Sequence, residues 1–423
     1  MTTYQHGHNN VPRIIRWADR RNHRRLSRIL SLDDFQHAAR RHLPRAIFAY
    51  LAGGAEDNHS FTANRSSFTD FWFKPKVLVD VSTRCLETTL LGERYAAPFG
   101  VSPLGLSALT AYRGDIVLSQ ASHRMNLPMI MSGSSLIPLE EVAAVNPRAW
   151  FQAYLPGTWD ETEALIERVK RAGFETLVIT VDTPVAANRE NNTRAGFSTP
   201  IRPSLRLAWD GVSHPRWLFG TFFKTIKRHG LPHFENNYAS RGAPILSKHV
   251  DRDISNRGHL EWERLARIRR LWSGKLVVKG ILCPDDARRA CGAGVDGLIV
   301  SNHGGRQLDG AIPPLWALPS IVEACPELPV MFDSGVRRGG DVLKALALGA
   351  CFVFVGRPFG FAAAYAGEIG VVHAMELLKE EVSRNMALLG VTSVEQLGRS
   401  QLTTRDQALQ LVRNYWDDSC TGT

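Results

Sequence analysis

Val295-Asp296-Gly297-Leu298-Ile299-Val300 runs directly into Ser301-Asn302-His303-Gly304-Gly305-Arg306-Gln307-Leu308-Asp309. The first piece is a short apolar run of the kind that forms a parallel strand buried on both faces. The second is a polar loop broken by two glycines, so strand meets loop at Ser301. Apolar runs of similar length recur at residues 99–102, 128–132, 149–154, 176–182, 275–279, 329–333 and 351–355. Amphipathic helical stretches such as 161–172 and 285–293 lie between them. Eight β-α units at this spacing predict an α/β chain closed into a (β/α)8 (TIM) barrel. An open doubly wound sheet is the alternative. It would require a Gly-x-Gly-x-x-Gly turn after the first strand, and none follows residues 99–102.

In such barrels reacting groups gather where strands end, so the residues there test the reading. The successive ends are Ser102-Pro103, Ser132, Gln152 with Tyr154, Thr180 with Asp182, Lys279, Ser301 to His303, Asp333-Ser334-Gly335 and Gly356-Arg357. All eight present polar or charged groups after apolar runs. His303 can accept a proton, and Arg306 can grip a carboxylate bidentately. Glycines 304 and 305 permit a tight turn and the close approach of a flat ring. Lys279 closes an apolar strand, where an ammonium needs a buried anion. Asp182 can orient a histidine and stabilise its charged form.

The charge is unevenly placed. The chain has 423 residues and a net charge of +10. Residues 13–28 carry seven arginines against Asp19, and residues 191–250 carry nine Arg or Lys against Asp210 and Glu235. A basic arm (1–30) therefore precedes the barrel (31–400), a basic insertion (191–256) interrupts it after the fourth strand, and a tail (401–423) follows. Nearly ninety residues separate the fourth and fifth strands, far more than a βα unit needs. Residues 215–224 mix Trp217, Phe219, Phe222 and Phe223 with Arg216 and Lys224, a composition that fits an interfacial helix, or a loop packed on its own barrel or on a neighbouring subunit. No nucleic-acid motif accompanies the charge, so an anionic membrane surface is the expected partner and nucleic acid is not. Six scattered cysteines without a C-x-x-C pair suit a reducing compartment, and no metal is expected. No apolar signal region or run of about 18 apolar residues is present, so the expected location is cytoplasmic, peripheral on the inner face of the cell membrane.

The stretch from Ser301 to Asp309 resembles the active-site motif of the FMN-dependent α-hydroxy acid dehydrogenases and oxidases. The resemblance spans roughly residues 31–400, strand end by strand end. It implies one FMN, with Arg337, Gly356 and Arg357 at its phosphate, Asp333 on the ribityl hydroxyls, and Ser334 and Gly335 in the same loop. Lys279 would stand beside the ring edge that gains charge on reduction, with Ser102, Pro103, Ser132, Gln152, Thr180 and Ser301 around the ring. It implies a small L-2-hydroxy acid oxidised to the 2-oxo acid, lactate-like first and mandelate-like second. His303 would be the base, Asp182 its partner, Arg306 and Arg189 the carboxylate clamp, and Tyr154 and Tyr50 hydrogen-bond donors. Electrons would pass to a quinone or another carrier, and the assembly would be a homo-oligomer, a tetramer. Ser102-Pro103-Leu104 departs from the Ala- or Gly-Pro-Thr of many relatives, which leaves oxygen open as acceptor. An FMN barrel acting on a phosphorylated ligand would need a nucleophilic cysteine or a further phosphate site, and a flavin-binding regulator would not need His303.

Overall fold

The computed structural model describes residues 24–198, 200–247 and 258–410. Eight strands, β1 (Phe99–Val101), β2 (Ile130–Ser132), β3 (Trp150–Ala153), β4 (Thr176–Thr180), β5 (Lys275–Ile281), β6 (Gly297–Val300), β7 (Val330–Asp333) and β8 (Phe352–Val355), form one parallel sheet. β8 pairs with β1, and β1 meets β2 through a bridge from Val101 to Met129, which closes the barrel. Apart from Lys275 and Gly280 of β5, every residue of these strands is buried, as the continuous apolar runs require. Ile130, Trp150, Val178, Val277, Ile299, Met331, Phe352 and Phe354 fill the interior. A hairpin of Thr88–Leu90 and Glu93–Tyr95 adds Leu90 and Tyr95 to this cluster and plugs the end opposite the catalytic loops.

Local sequence explains several boundaries. Ser31 caps the helix Leu32–His42, accepting from the Asp34 N–H while Asp34 accepts from the Ser31 N–H. Pro284 opens the helix Pro284–Gly292, with Asp285 and Asp286 in its first turn. The final helix, Arg357–Leu389, is apolar enough over one 18-residue window to match a membrane span in length and composition. Its backbone breaks at Ala366 and at Gly367, where φ is +62°. Pro358–Ala364 and much of residues 370–389 are buried within the molecule, so core packing accounts for the apolarity.

Two boundaries shift. Leu26 and Ile29 are buried, so the basic arm joins the core before residue 30, while its first 23 residues lie outside the described ones. Leu402–Thr404 pairs antiparallel with Phe71–Phe73, so the barrel unit extends past residue 400. The insertion forms the helices Glu190–Ala195, Leu205–Val212, Pro215–Trp217 and Lys224–His229, with a π-wound segment Leu218–Phe223 between the last two. Two of its ties to the barrel are buried side chains. The buried Trp217 indole donates to Leu109 O at 2.8 Å, and buried Asn236 donates to Ile137 O at 2.8 Å and accepts from the Leu139 N–H at 2.9 Å. Trp217 is therefore a barrel contact and not a surface anchor; Phe219, Phe222 and Phe223 remain exposed.

Candidate active site

The carboxyl ends of the strands surround a cavity of about 610 Å³. It is lined by Ser102, Pro103, Gln152, Tyr154, Thr180, Lys279, His303, Arg306, Arg189, Tyr50 and the runs from Asp333 to Arg337 and from Val355 to Arg357. Sixteen of the nineteen candidate residues thus face one space. Ser132, Ser301 and Asp182 stand behind it. The Ser132 hydroxyl donates to Gln152 Oε1 at 3.3 Å, and Ser301 Oγ accepts from Lys279 Nζ at 2.8 Å and from the His303 N–H at 3.0 Å. In this geometry both serines position other side chains.

The catalytic loop turns on three consecutive left-handed residues, His303 (φ +58°), Gly304 (+67°) and Gly305 (+71°). Both glycines stand hard against neighbouring protein. A Cβ on Gly305 would lie 2.5 Å from the Phe61 N atom, and one on Gly304 would lie 2.7 Å from an Arg357 guanidinium nitrogen. The left-handed turn faces His303 Nδ1 to Asp182 Oδ1 at 2.8 Å. A bulge in β5 makes room for that carboxylate. Gly280 has φ +110°, and a Cβ there would meet the Asp182 Cβ at 2.7 Å. Burial holds His303 below the usual imidazole range, outweighing the opposing pull of Asp182. Asp182 is itself held low: burial works against its charge, but His303 and Lys279 prevail. The pair is a neutral imidazole beside a carboxylate. With Nδ1 bound to Asp182, Nε2 is left as the proton acceptor.

The buried Lys279 finds its anion within the protein. Its Nζ lies 3.2 Å from Asp333 Oδ2, which also accepts from Ser102 Oγ at 2.8 Å. Burial alone would lower the Lys279 pKa; Asp333 and Asp182 raise it instead. The buried anion that Lys279 calls for is therefore Asp333, which is occupied by Lys279, Ser102 and Ser334.

Four arginines converge on the opposite rim. Arg306 Nη1 donates to the carbonyls of Tyr50 and Gly53, both at 2.8 Å, with its guanidinium carbon 5.2 Å above the Tyr50 ring. Arg189 donates to Arg306 O at 3.0 Å and to Gln307 Oε1 at 2.8 Å. Arg357 donates to Gly53 O and Gly304 O, both at 2.9 Å, and its Nε is buried with no partner among the described residues. Burial and the charges of Arg306, Arg337 and Arg189 push the Arg357 pKa well down. Burial and Arg65 bring Arg337 to about 10 despite Asp33 at 3.5 Å. Such mutual repulsion in a sheltered site fits anions that arrive from outside. A phosphate at Arg337 and Arg357, and a carboxylate at Arg306 and Arg189, would answer it. The residues fit FMN: a phosphate cradle after β7 and β8, a buried ammonium at the end of β5, and amide and hydroxyl groups at Gln152 and Thr180.

Several participants were given no individual role by the sequence. Asn64 and Asn302 exchange two amide hydrogen bonds of 2.7 Å beneath the loop. Asp309 accepts from the N–H groups of His59 and Ser60, at 3.1 and 2.8 Å. Gln307 Nε2 donates to Asp182 O at 3.2 Å, and Phe197, from the insertion, packs on Tyr50 with ring centroids 4.6 Å apart. Their partners lie elsewhere in the chain, where local pattern is silent.

Known proteins share this architecture. An L-lactate dehydrogenase of Chromohalobacter salexigens is 38% identical over 391 residues, covering 90% of this chain and 97% of that protein. The (S)-mandelate dehydrogenase of Pseudomonas putida is 36% identical over 381 residues, covering 88% of this chain and 94% of its own. A crystal structure described as the monotopic membrane protein (S)-mandelate dehydrogenase superposes with a TM-score of 0.84 at 35% identity, covering 89% of this chain and 99% of that one. The pattern that defines the FMN-dependent dehydrogenases matches residues 39–404, so the chain belongs to the FMN-dependent dehydrogenase family.

Proposed function

We propose that the protein oxidises a small L-2-hydroxy acid, lactate-like before mandelate-like, to the 2-oxo acid and hands the electrons to a quinone or a similar carrier. One observation carries the reading: a histidine hydrogen-bonded to a carboxylate at 2.8 Å opens onto a cavity whose rim holds four arginines. Held by Arg337, Arg357 and Lys279, FMN would supply a two-electron acceptor. His303 Nε2 takes the proton the substrate releases, and Asp182 stabilises the imidazolium that results. Arg306 and Arg189 hold the substrate carboxylate, while Tyr50 and Tyr154 line its place. Lys279 keeps a positive charge beside the ring because Asp333 and Asp182 sustain it. The (S)-mandelate dehydrogenase neighbour is described as monotopic, and here Phe219, Phe222 and Phe223 are exposed beside Arg216, Lys227 and Arg228. We take this face to meet an anionic membrane.

The test is anaerobic. The purified yellow protein is mixed with a panel of L- and D-2-hydroxy acids, and the flavin absorbance is followed. L-lactate or a near analogue should bleach it, and subsequent addition of a quinone should restore the colour faster than oxygen. No bleaching by any 2-hydroxy acid would overturn the reading; faster recovery with oxygen would make it an oxidase.

A further inference from the structure

Behind the active site, on the far side of the helix Arg45–Ala52, lies a second cleft of about 620 Å³. One wall is apolar: Leu43, Phe48, Ala49 and Ala52 from the N-terminal helices and Ala195 from the insertion. The rim is basic, with Arg40, Arg45, Arg194 and His214, and the amides of Asn58 and Asn191 complete it. No carboxylate lines the cleft among the described residues. The acids close by are already engaged. Glu190 pairs with Arg194, and Asp210 accepts from the Ala46 N–H at 3.2 Å and faces His214 at 3.7 Å. Arg40, Arg45 and Arg216 have no ion pair among the described residues. The local field is strong enough that burial together with Arg25, Arg216 and His214 brings His42 down to about 4.

The position of the cleft narrows the ligand. Leu218 N donates to His214 O at 2.9 Å, so the exposed aromatic segment Leu218–Phe223 begins one turn beyond a residue of the rim. An anion with an apolar tail matches uncompensated arginines over an apolar wall, next to a face that carries exposed phenylalanines. We propose that this cleft binds the phosphate head of an anionic phospholipid, with Arg40 and Arg45 on the phosphate and the first part of an acyl chain along Phe48, Ala49 and Ala52. The identity of the ligand as a lipid rests on the membrane-facing reading of the insertion. The wall is shared with catalysis: the Gly53 carbonyl that ends its helix receives both Arg306 and Arg357.

The experiment uses full-length, FMN-loaded enzyme and calorimetric titration with monomeric dihexanoyl-phosphatidylglycerol. Parallel titrations use dihexanoyl-phosphatidylcholine and inorganic phosphate. Saturable binding of the phosphatidylglycerol is expected, about tenfold or more tighter than either control. Arg40→Gln with Arg45→Gln should weaken it about tenfold or more, the scale of one lost charge-assisted hydrogen bond. Equal affinity in that double variant would overturn the proposal. So would equal binding of the choline lipid, which would mean apolar contact alone, or of phosphate, which would mean a free anion. Vesicle co-sedimentation with Phe219→Ser, Phe222→Ser and Phe223→Ser combined separates the two readings. Loss of vesicle binding with monomer binding retained supports both. Monomer binding by an intact protein that ignores anionic vesicles sinks the membrane face and keeps the cleft.

Discussion

Asp182→Asn isolates a charge while keeping a shape. The amide oxygen can still accept from His303 Nδ1 across the 2.8 Å contact, so the ring keeps its tautomer and place. What disappears is the negative charge opposite a forming imidazolium. The two side chains keep 18% and 11% of their surface exposed, so the screening is that of a partly sheltered pair. At an effective dielectric near 20, charges roughly 4 Å apart interact by about 4 kcal/mol. A transition state with a half-transferred proton expresses half to three quarters of this, about 2–3 kcal/mol. Flavin reduction should then slow roughly a hundredfold. The assay is anaerobic stopped-flow bleaching with saturating substrate, with flavin content and thermal midpoint as controls for folding. His303→Gln should fall further, by about a thousandfold or more, because the base itself is lost. A rate for Asp182→Asn within threefold of the parent, with flavin retained, would show that the carboxylate only holds the ring in place.

Lys279→Met should leave Asp333 charged and buried, costing about 3–5 kcal/mol in chemical unfolding of the apoprotein, and Lys279→Met with Asp333→Leu should recover most of it; an unchanged midpoint in the single variant would remove the pair from the stability account. Arg306→Met should raise KM for the hydroxy acid with flavin retained, whereas Arg357→Met should release flavin on gel filtration. Equal flavin loss from both would show that their shared hold on Gly53 O makes them one unit. His42, held near 4, binds its proton less readily than the unfolded chain, so its contribution is intact above about pH 6.5 and is lost as pH falls toward 4. Between pH 7 and pH 5 this amounts to about 2 kcal/mol, and His42→Gln should flatten the urea-stability profile by that amount over that interval.

The barrel was legible because its strands are buried on both faces and therefore write unbroken apolar runs, as Leu276-Val277-Val278 does before Lys279. The strand ends were legible for the converse reason: a polar residue after such a run must be met by something. What met it was often hidden. Lys279 announced a buried anion but not that the anion was Asp333, 54 residues on, since spacing along the chain carries no record of the barrel's curvature. Gly280, just past that run, carries no mark of its own, and its φ of +110° goes with the room Asp182 needs. Trp217 sits in a segment whose composition suits a surface, and only the carbonyl of Leu109 reveals that its indole faces inward. The Ser31 cap fixes where the first N-terminal helix begins, yet nothing local disclosed that the carbonyls of Tyr50 and Gly53 hold Arg306 and Arg357.

That last arrangement bears on the order in which a ribosome delivers the molecule. Tyr50 and Gly53 emerge early, but the guanidinium groups that bind their carbonyls belong to residues 253 to 304 positions later. Arg357 begins the final long helix, so the wall of the active site made first is fixed almost last. Until translation has passed β8, the nascent chain has neither a finished substrate pocket nor its second phosphate arginine. A complete flavin phosphate cradle therefore has to wait until Arg357 has been made, whatever the earlier strands have already formed.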